Sequence, residues 1–175
     1  MGRFAFFNEA PGQVRQFNET SADGGKTWKK ISDGIPDGAY VRCIREDTKR
    51  KGLLFAGTET GLYVSFNDGS NWQQLQLGLP ITPITDLKIH QGNLIAATMG
   101  RAFWVLDELH MLEQFDSTLV RKFVLFQPKD AYRVSGASIL DRTISDEEYE
   151  TPLQYATGIN ASSGLVLEYQ IPNKI

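Results

Sequence analysis

Among the side chains with which this chain could do acid–base, metal or nucleophilic chemistry are 21 acidic residues, two histidines and one cysteine. Glycoside cleavage would need two carboxylates held roughly 5–10 Å apart across a sugar. A metal would need His, Cys or carboxylate ligands at short, regular spacing. His90 and His110 stand at no such spacing from each other or from Cys43, so neither a metal site nor a cofactor is expected. No Gly-Lys-Ser/Thr phosphate loop and no Gly-x-Ser-x-Gly elbow occurs. Gly57-Thr58-Glu59-Thr60-Gly61 carries glycines, but apolar strand-like runs flank it on both sides, so it cannot place a phosphate on a helix N-terminus. Asn160-Ala161-Ser162 is a formal glycosylation triplet of a kind that arises often by chance. No catalytic residue is assigned.

The acidic residue in the most definite setting is Asp23, and its setting is structural. Ser21-Ala22-Asp23-Gly24-Gly25-Lys26-Thr27-Trp28 recurs as Ser65-Phe66-Asn67-Asp68-Gly69-Ser70-Asn71-Trp72, 44 residues further on. Pro36 and Pro80 keep the same register. Asp23, and Asn67 after it, can fold back onto backbone N–H groups in an Asx turn. Gly25 and Gly69 supply a positive φ that a β-carbon resists. The hydroxyls of Ser21, Thr27 and Ser65, and the amide of Asn71, can serve the remaining backbone groups. Trp28 and Trp72 are expected to bury their rings between neighbouring sheets.

The elements between these hairpins are short strands. Residues 39–47 read as one, Leu53–Thr58 as a second, Leu62–Phe66 as a third and Trp72–Leu77 as a fourth. The order restarts with Ile84–His90, Leu94–Thr98 and Phe103–Asp107. A 40–50-residue period of four short strands marks a propeller blade. After Asp107 the pattern breaks: Glu108–Phe115 reads as a short helix, and Arg121–Phe126 is expected to be the late fourth strand. Phe4–Phe7 and Val14–Phe17 read as two strands before the first hairpin. Residues 1–126 are taken as an incomplete β-propeller of two to three blades, and 127–156 as an extended linker. Residues 157–175 are taken as the opening strand, without a visible partner, of a following β domain. The fold class is thus all-β: a partial β-propeller of four-stranded antiparallel blades with an irregular C-terminal extension. Fewer than four blades cannot close a ring, so a C-terminal propeller fragment is expected, its partners being the remaining blades of a parent chain.

Composition agrees with a globular protein: 41% hydrophobic, 11% aromatic and 22% charged residues. A formal charge of −3 argues against a nucleic-acid partner. No apolar run is long enough for a membrane span, and the N-terminal apolar stretch is too short for a signal peptide. One cysteine permits no intrachain disulfide, and Cys43 reads as an ordinary buried thiol. Lys49-Arg50-Lys51 reads as a solvated turn. Arg42 and Asp86, at matching points of successive first strands under the 44-residue period, are expected to pair with each other.

The two hairpins resemble the Asp-box, or BNR, repeat of sialidases, endoglucanase-type glycosidases and the sortilin/Vps10 receptors. Asp23 through Asp107 is similar to large exported bacterial propellers labelled glycosyl hydrolase or sortilin-like, through Gly57–Ser65 and Gly100–Asp107. The segment Pro128–Arg133 resembles the exit of such a propeller. The resemblance implies an extracellular or periplasmic parent. It also implies a ligand face opposite the Asp-boxes, built from the loops between second and third strands and between blades. On that face the candidates are Glu59, Thr60, Met99 and Arg101 from the first loop type, and Asp37 and Thr82 from the second. Glu59 and Arg101 could face each other across a groove, with the arginine clamping a carboxylate-bearing ligand.

Three functions follow as expectations. The first is a binding or scaffold module for a glycan or peptide, without a complete active site. The second is part of a sialidase-like hydrolase whose catalytic carboxylates lie in upstream blades. The third is a portion of a sortilin-like receptor that adds a peptide strand to an open sheet edge; a single cysteine argues against this one.

Overall fold

The computed structural model describes residues 3–8, 16–21, 23–107, 109–116, 122–130 and 165–172. The chain divides into two compact units, residues 1–113 and 114–175.

The first unit is a row of antiparallel meanders. The first sheet is β1 (Arg3–Asn8), β2 (Gln16–Ser21) and β3 (Lys29–Lys30), in that order. The second is a complete four-stranded blade: β4 (Val41–Glu46), β5 (Leu54–Thr58), β6 (Gly61–Ser65) and β7 (Gln73–Gln74). The third holds β8 (Ile84–His90), β9 (Asn93–Thr98) and β10 (Phe103–Leu106). Helix α1 (Leu109–Gln114) follows where the repeat predicts a hairpin and fourth strand. The sheet orders and the repeated junctions make this a partial β-propeller.

Every residue of β5 and β6 is buried, because apolar layers cover both faces of this sheet. On one face Phe55, Leu53 and Val64 pack with Ile84, Leu87 and Leu94 of the third sheet. On the other, Leu54, Ala56 and Tyr63 pack with Ile31 and Trp72. A fully buried side chain such as Phe55 contributes about 1.5–3 kcal/mol through removal of apolar surface from water. These layers explain why a continuous apolar run, not an alternating one, encodes the central strand.

Three expectations are corrected here. Among the described residues the third sheet has no fourth strand: β11 (Val124–Leu125) pairs instead with β12 (Tyr169–Gln170) in the second unit. The C-terminal strand therefore has a partner. Phe123 stacks on Tyr169 at 6.2 Å, and the Phe126 N–H donates to the Glu168 carbonyl at 2.9 Å. The Lys49–Lys51 turn is also more than a solvated loop. Arg50 donates to the Leu112 carbonyl of α1 at 2.8 Å and lies over the Phe66 ring, while Lys49 reaches Glu113 at 3.2 Å. A cation at the carbonyl end of a helix satisfies groups that no further turn can serve. Residues 131–156 of the expected linker, and 157–164 of the segment expected to open a following domain, lie outside the described residues.

Candidate functional site

The two hairpins form as their residue types dictate. In the first, the Asp23 carboxylate accepts from the Lys26 and Thr27 N–H groups at 3.0 and 2.9 Å, the Thr27 hydroxyl at 2.7 Å and the Ser21 hydroxyl at 2.8 Å. The Gly25 N–H donates to Ser21 Oγ at 2.7 Å. These bonds, those from Thr27 first, hold Asp23 far below the usual carboxylate range. It is an anion fixed by its own loop. In the second hairpin Asn67 accepts from Ser65 Oγ at 2.9 Å and from the Asn71 N–H at 3.0 Å, and the Gly69 N–H donates to Ser65 Oγ at 3.0 Å.

The tryptophans differ. Trp72 is 2% exposed, and its indole N–H donates to the Ile31 carbonyl at 2.7 Å. Trp28 is 38% exposed, so the expected burial of both rings holds for one of them. The Trp72 seat is supplied by the connector after β3; no corresponding connector precedes Trp28 among the described residues.

At the opposite ends of the sheets, the β5–β6 and β9–β10 turns share one design. Thr58 Oγ1 donates to the Gly61 carbonyl at 2.9 Å, and Thr98 Oγ1 to the Ala102 carbonyl at 2.7 Å. The incoming connectors are tied to these turns by Glu59 N–H to the Tyr40 carbonyl and Met99 N–H to the Pro83 carbonyl, both 2.9 Å. Sequence reasoning passed over the two threonines, although their shared place at the end of a second strand was the available signal.

The loop-face candidates divide into engaged and exposed groups. Glu59 is paired with Arg42, Nε to Oε1 at 2.8 Å. Thr60 donates its N–H to Thr58 Oγ1 at 3.1 Å. Thr82 is 4% exposed, with its hydroxyl on the Met99 carbonyl at 3.1 Å. Met99, Arg101 and Asp37 are exposed. Arg101 uses its backbone locally, its N–H to Thr98 Oγ1 at 3.1 Å and its carbonyl accepting from the Trp104 indole at 2.8 Å.

The expected Arg42–Asp86 pair is replaced by two others. Arg42 takes Glu59, and Asp86 takes Arg45 at 2.6 Å. Both first strands carry a bulge, at Val41/Cys43 and Ile84/Asp86, so Cys43 faces Gly57 where Asp86 faces Ala97. Asp86 thus matches Cys43, one residue off the 44-residue register, and a slip of one residue moves a side chain to the other face. Arg45 also donates to the Leu87 carbonyl at 2.8 Å and so bridges β4 and β8, a role the sequence reading missed. Cys43 itself is 5% exposed, and burial pushes its thiol up to about 11.

No protein-family model matches the sequence, and no curated protein aligns with it. Among solved structures the chain is similar to one described as YCF48 bound to D1 peptide. The TM-score is 0.41 at 20% identity, covering 59% of this chain and 32% of that one. The chain therefore spans about a third of that protein's length. The propeller architecture stands on the sheet orders and repeated junctions described above.

Proposed function

We propose that this chain is a binding and scaffolding portion of a β-propeller, holding a glycan or peptide on the face made by the β5–β6 and β9–β10 turns and their connectors. The observation that carries this reading is the division of labour among the polar side chains. Asp23, Glu59 and Asp86 are each engaged in bonds that build hairpins or join strands. Arg101 and Met99 stand exposed on the turn after β9, which the Met99 N–H and Thr82 hydroxyl lock to the connector carrying the exposed Ile81. A rigid turn presenting a guanidinium beside apolar side chains suits a ligand with a carboxylate and an apolar face.

Glycan- and peptide-array binding of the protein, wild type against Arg101→Ala and Glu59→Gln, tests the reading. Arg101→Ala is expected to weaken binding by tenfold or more. Glu59→Gln is expected to act less, because Glu59 acts through Arg42. Unchanged binding in both variants would retire the loop face as the site. Release of aryl alcohol from aryl glycosides by the chain would replace the scaffold reading with the hydrolase.

A further inference from the structure

The repeat that places Trp72 also defines what its seat is made of, and the same parts recur one blade later. Ile31 and Ile35, three and seven residues after Trp28, are matched by Leu75 and Leu79, three and seven after Trp72. Leu54 and Ala56 of β5 are matched by Leu94 and Ala96 of β9. Tyr63, the cross-strand partner of Ala56, is matched by Trp104, the partner of Ala96. In the first set Trp72 fills the space enclosed by these residues. In the second set the same positions line a half-open apolar cavity of about 80 Å³.

A glycine gives an independent view of the same difference. A Cβ added at Gly34 would collide with the Trp72 backbone, whose N–H donates to the Asp33 carbonyl at 2.8 Å. At Gly78, the matching position with nearly the same φ (+82° against +95°), nothing lies within 4 Å. Among the described residues the strand that follows the tryptophan has no counterpart either. In the second sheet Gln73 and Gln74 of β7 pair with Val64 and Tyr63. In the third sheet β10 is the terminal strand, and no strand lies on its outer edge among the described residues. Its Phe103 and Val105 are 76% and 52% exposed.

We infer that the cavity between the second and third sheets is the seat for a tryptophan carried by an extended segment of another polypeptide, which pairs antiparallel with β10 as its fourth strand. The chain's three tryptophans are already placed: Trp28 on the first hairpin, Trp72 in its own seat and Trp104 in the wall of this one. The indole therefore comes from outside these 175 residues. By the register of β7, the two residues after the incoming tryptophan lie opposite Val105 and Trp104. Its indole N–H meets the Leu75 carbonyl and its backbone N–H the Leu77 carbonyl, as Trp72 meets Ile31 and Asp33. Backbone pairing supplies affinity, and the ring in its pocket supplies selectivity. This site lies on the flank of the blade and is separate from the loop face proposed above.

The probe is a labelled peptide with the sequence of residues 67–77, the chain's own hairpin and fourth strand, titrated against the 175-residue protein by fluorescence anisotropy. Saturable binding is expected, weakened at least tenfold when the peptide carries alanine at the position of Trp72. Two protein variants place the site. Leu77→Glu alters an exposed residue at the mouth, and Ala96→Leu fills the cavity from its floor; circular dichroism melting confirms that each folds. Each is expected to weaken binding at least fivefold, while Arg101→Ala leaves it unchanged, which keeps this result distinct from the loop-face test. No binding at about 1 mM peptide, equal binding of the alanine peptide, or full binding by both folded cavity variants overturns the inference.

Discussion

Trp28 and Trp72 occupy the same position of the same hairpin, yet one ring is 38% exposed and the other 2%. Both hairpins close with the same pattern of serine, Asx and glycine bonds. The hairpin is thus a local object that forms wherever its residues occur, whereas burial of the ring depends on a connector contributed by the preceding sheet. The repeat encodes a shape; the neighbour decides what that shape stabilises.

The largest test of this contrast is truncation of each indole. Trp72→Ala is expected to cost about 3–5 kcal/mol by urea denaturation, the range for a buried aromatic lost from a core. Trp28→Ala is expected to cost less than half as much. Equal losses would show that Trp28 is as well seated as Trp72.

Glycine substitutions sharpen the same difference from the side of the seat. Gly34→Ala combines a left-handed backbone with a collision against the Trp72 backbone, and is expected to cost about 3 kcal/mol or more. Gly78→Ala meets open space and bears only the conformational strain, about 1–2 kcal/mol. Thermal melts of the pair read the gap between them.

A smaller effect is expected at Arg45. Its ion pair with Asp86 is exposed and worth under about 1 kcal/mol. Its bond to the Leu87 carbonyl adds roughly another 1 kcal/mol. Arg45→Met should therefore destabilise more than Asp86→Asn, and raised salt should shrink both losses by the ion-pair share while leaving Arg45→Met the larger.

The subtlest comparison is between the Asx residues themselves. Asp23 has its carboxyl depressed in the folded state, so its stabilisation is complete above the unfolded value near 3.8 and is lost as pH falls below it. Asn67 carries no charge and has no such dependence. Asp23→Asn should flatten the acid limb of the stability profile, and Asn67→Asp should steepen it. An unchanged acid limb in both variants would show that neither turn contributes to global stability.

The sequence revealed those features that depend on neighbours along the chain. Leu54–Thr58 and Leu94–Thr98 announce buried strands by composition, and Asp23 and Asn67 announce turns by the reach of a short side chain to nearby N–H groups. The loop-face residues could be nominated only through a likeness to other propellers, and the structure finds Glu59 and Thr82 already engaged. What stayed hidden depends on register or on distant partners. The connector from Pro80 to Ile84 is one residue shorter than that from Pro36 to Val41, which sets Asp86 level with Cys43 and not with Arg42. The β11–β12 pair joins segments more than forty residues apart with no repeat to link them. The cavity beside Trp104 shows in sequence only as a missing third hairpin, which does not tell whether the space has collapsed or stands open.

Cys43 lies where the second and third sheets meet, its sulfur beside Gly57 and the Ile84 side chain beyond it. A buried thiol with so high a proton affinity reacts slowly with alkylating reagents while the two sheets stay together. Its modification rate is therefore a clock for their parting. Quenched-flow labelling with a maleimide would time the breathing of this seam without adding a probe, and any ligand that clamps the two sheets together should slow the clock.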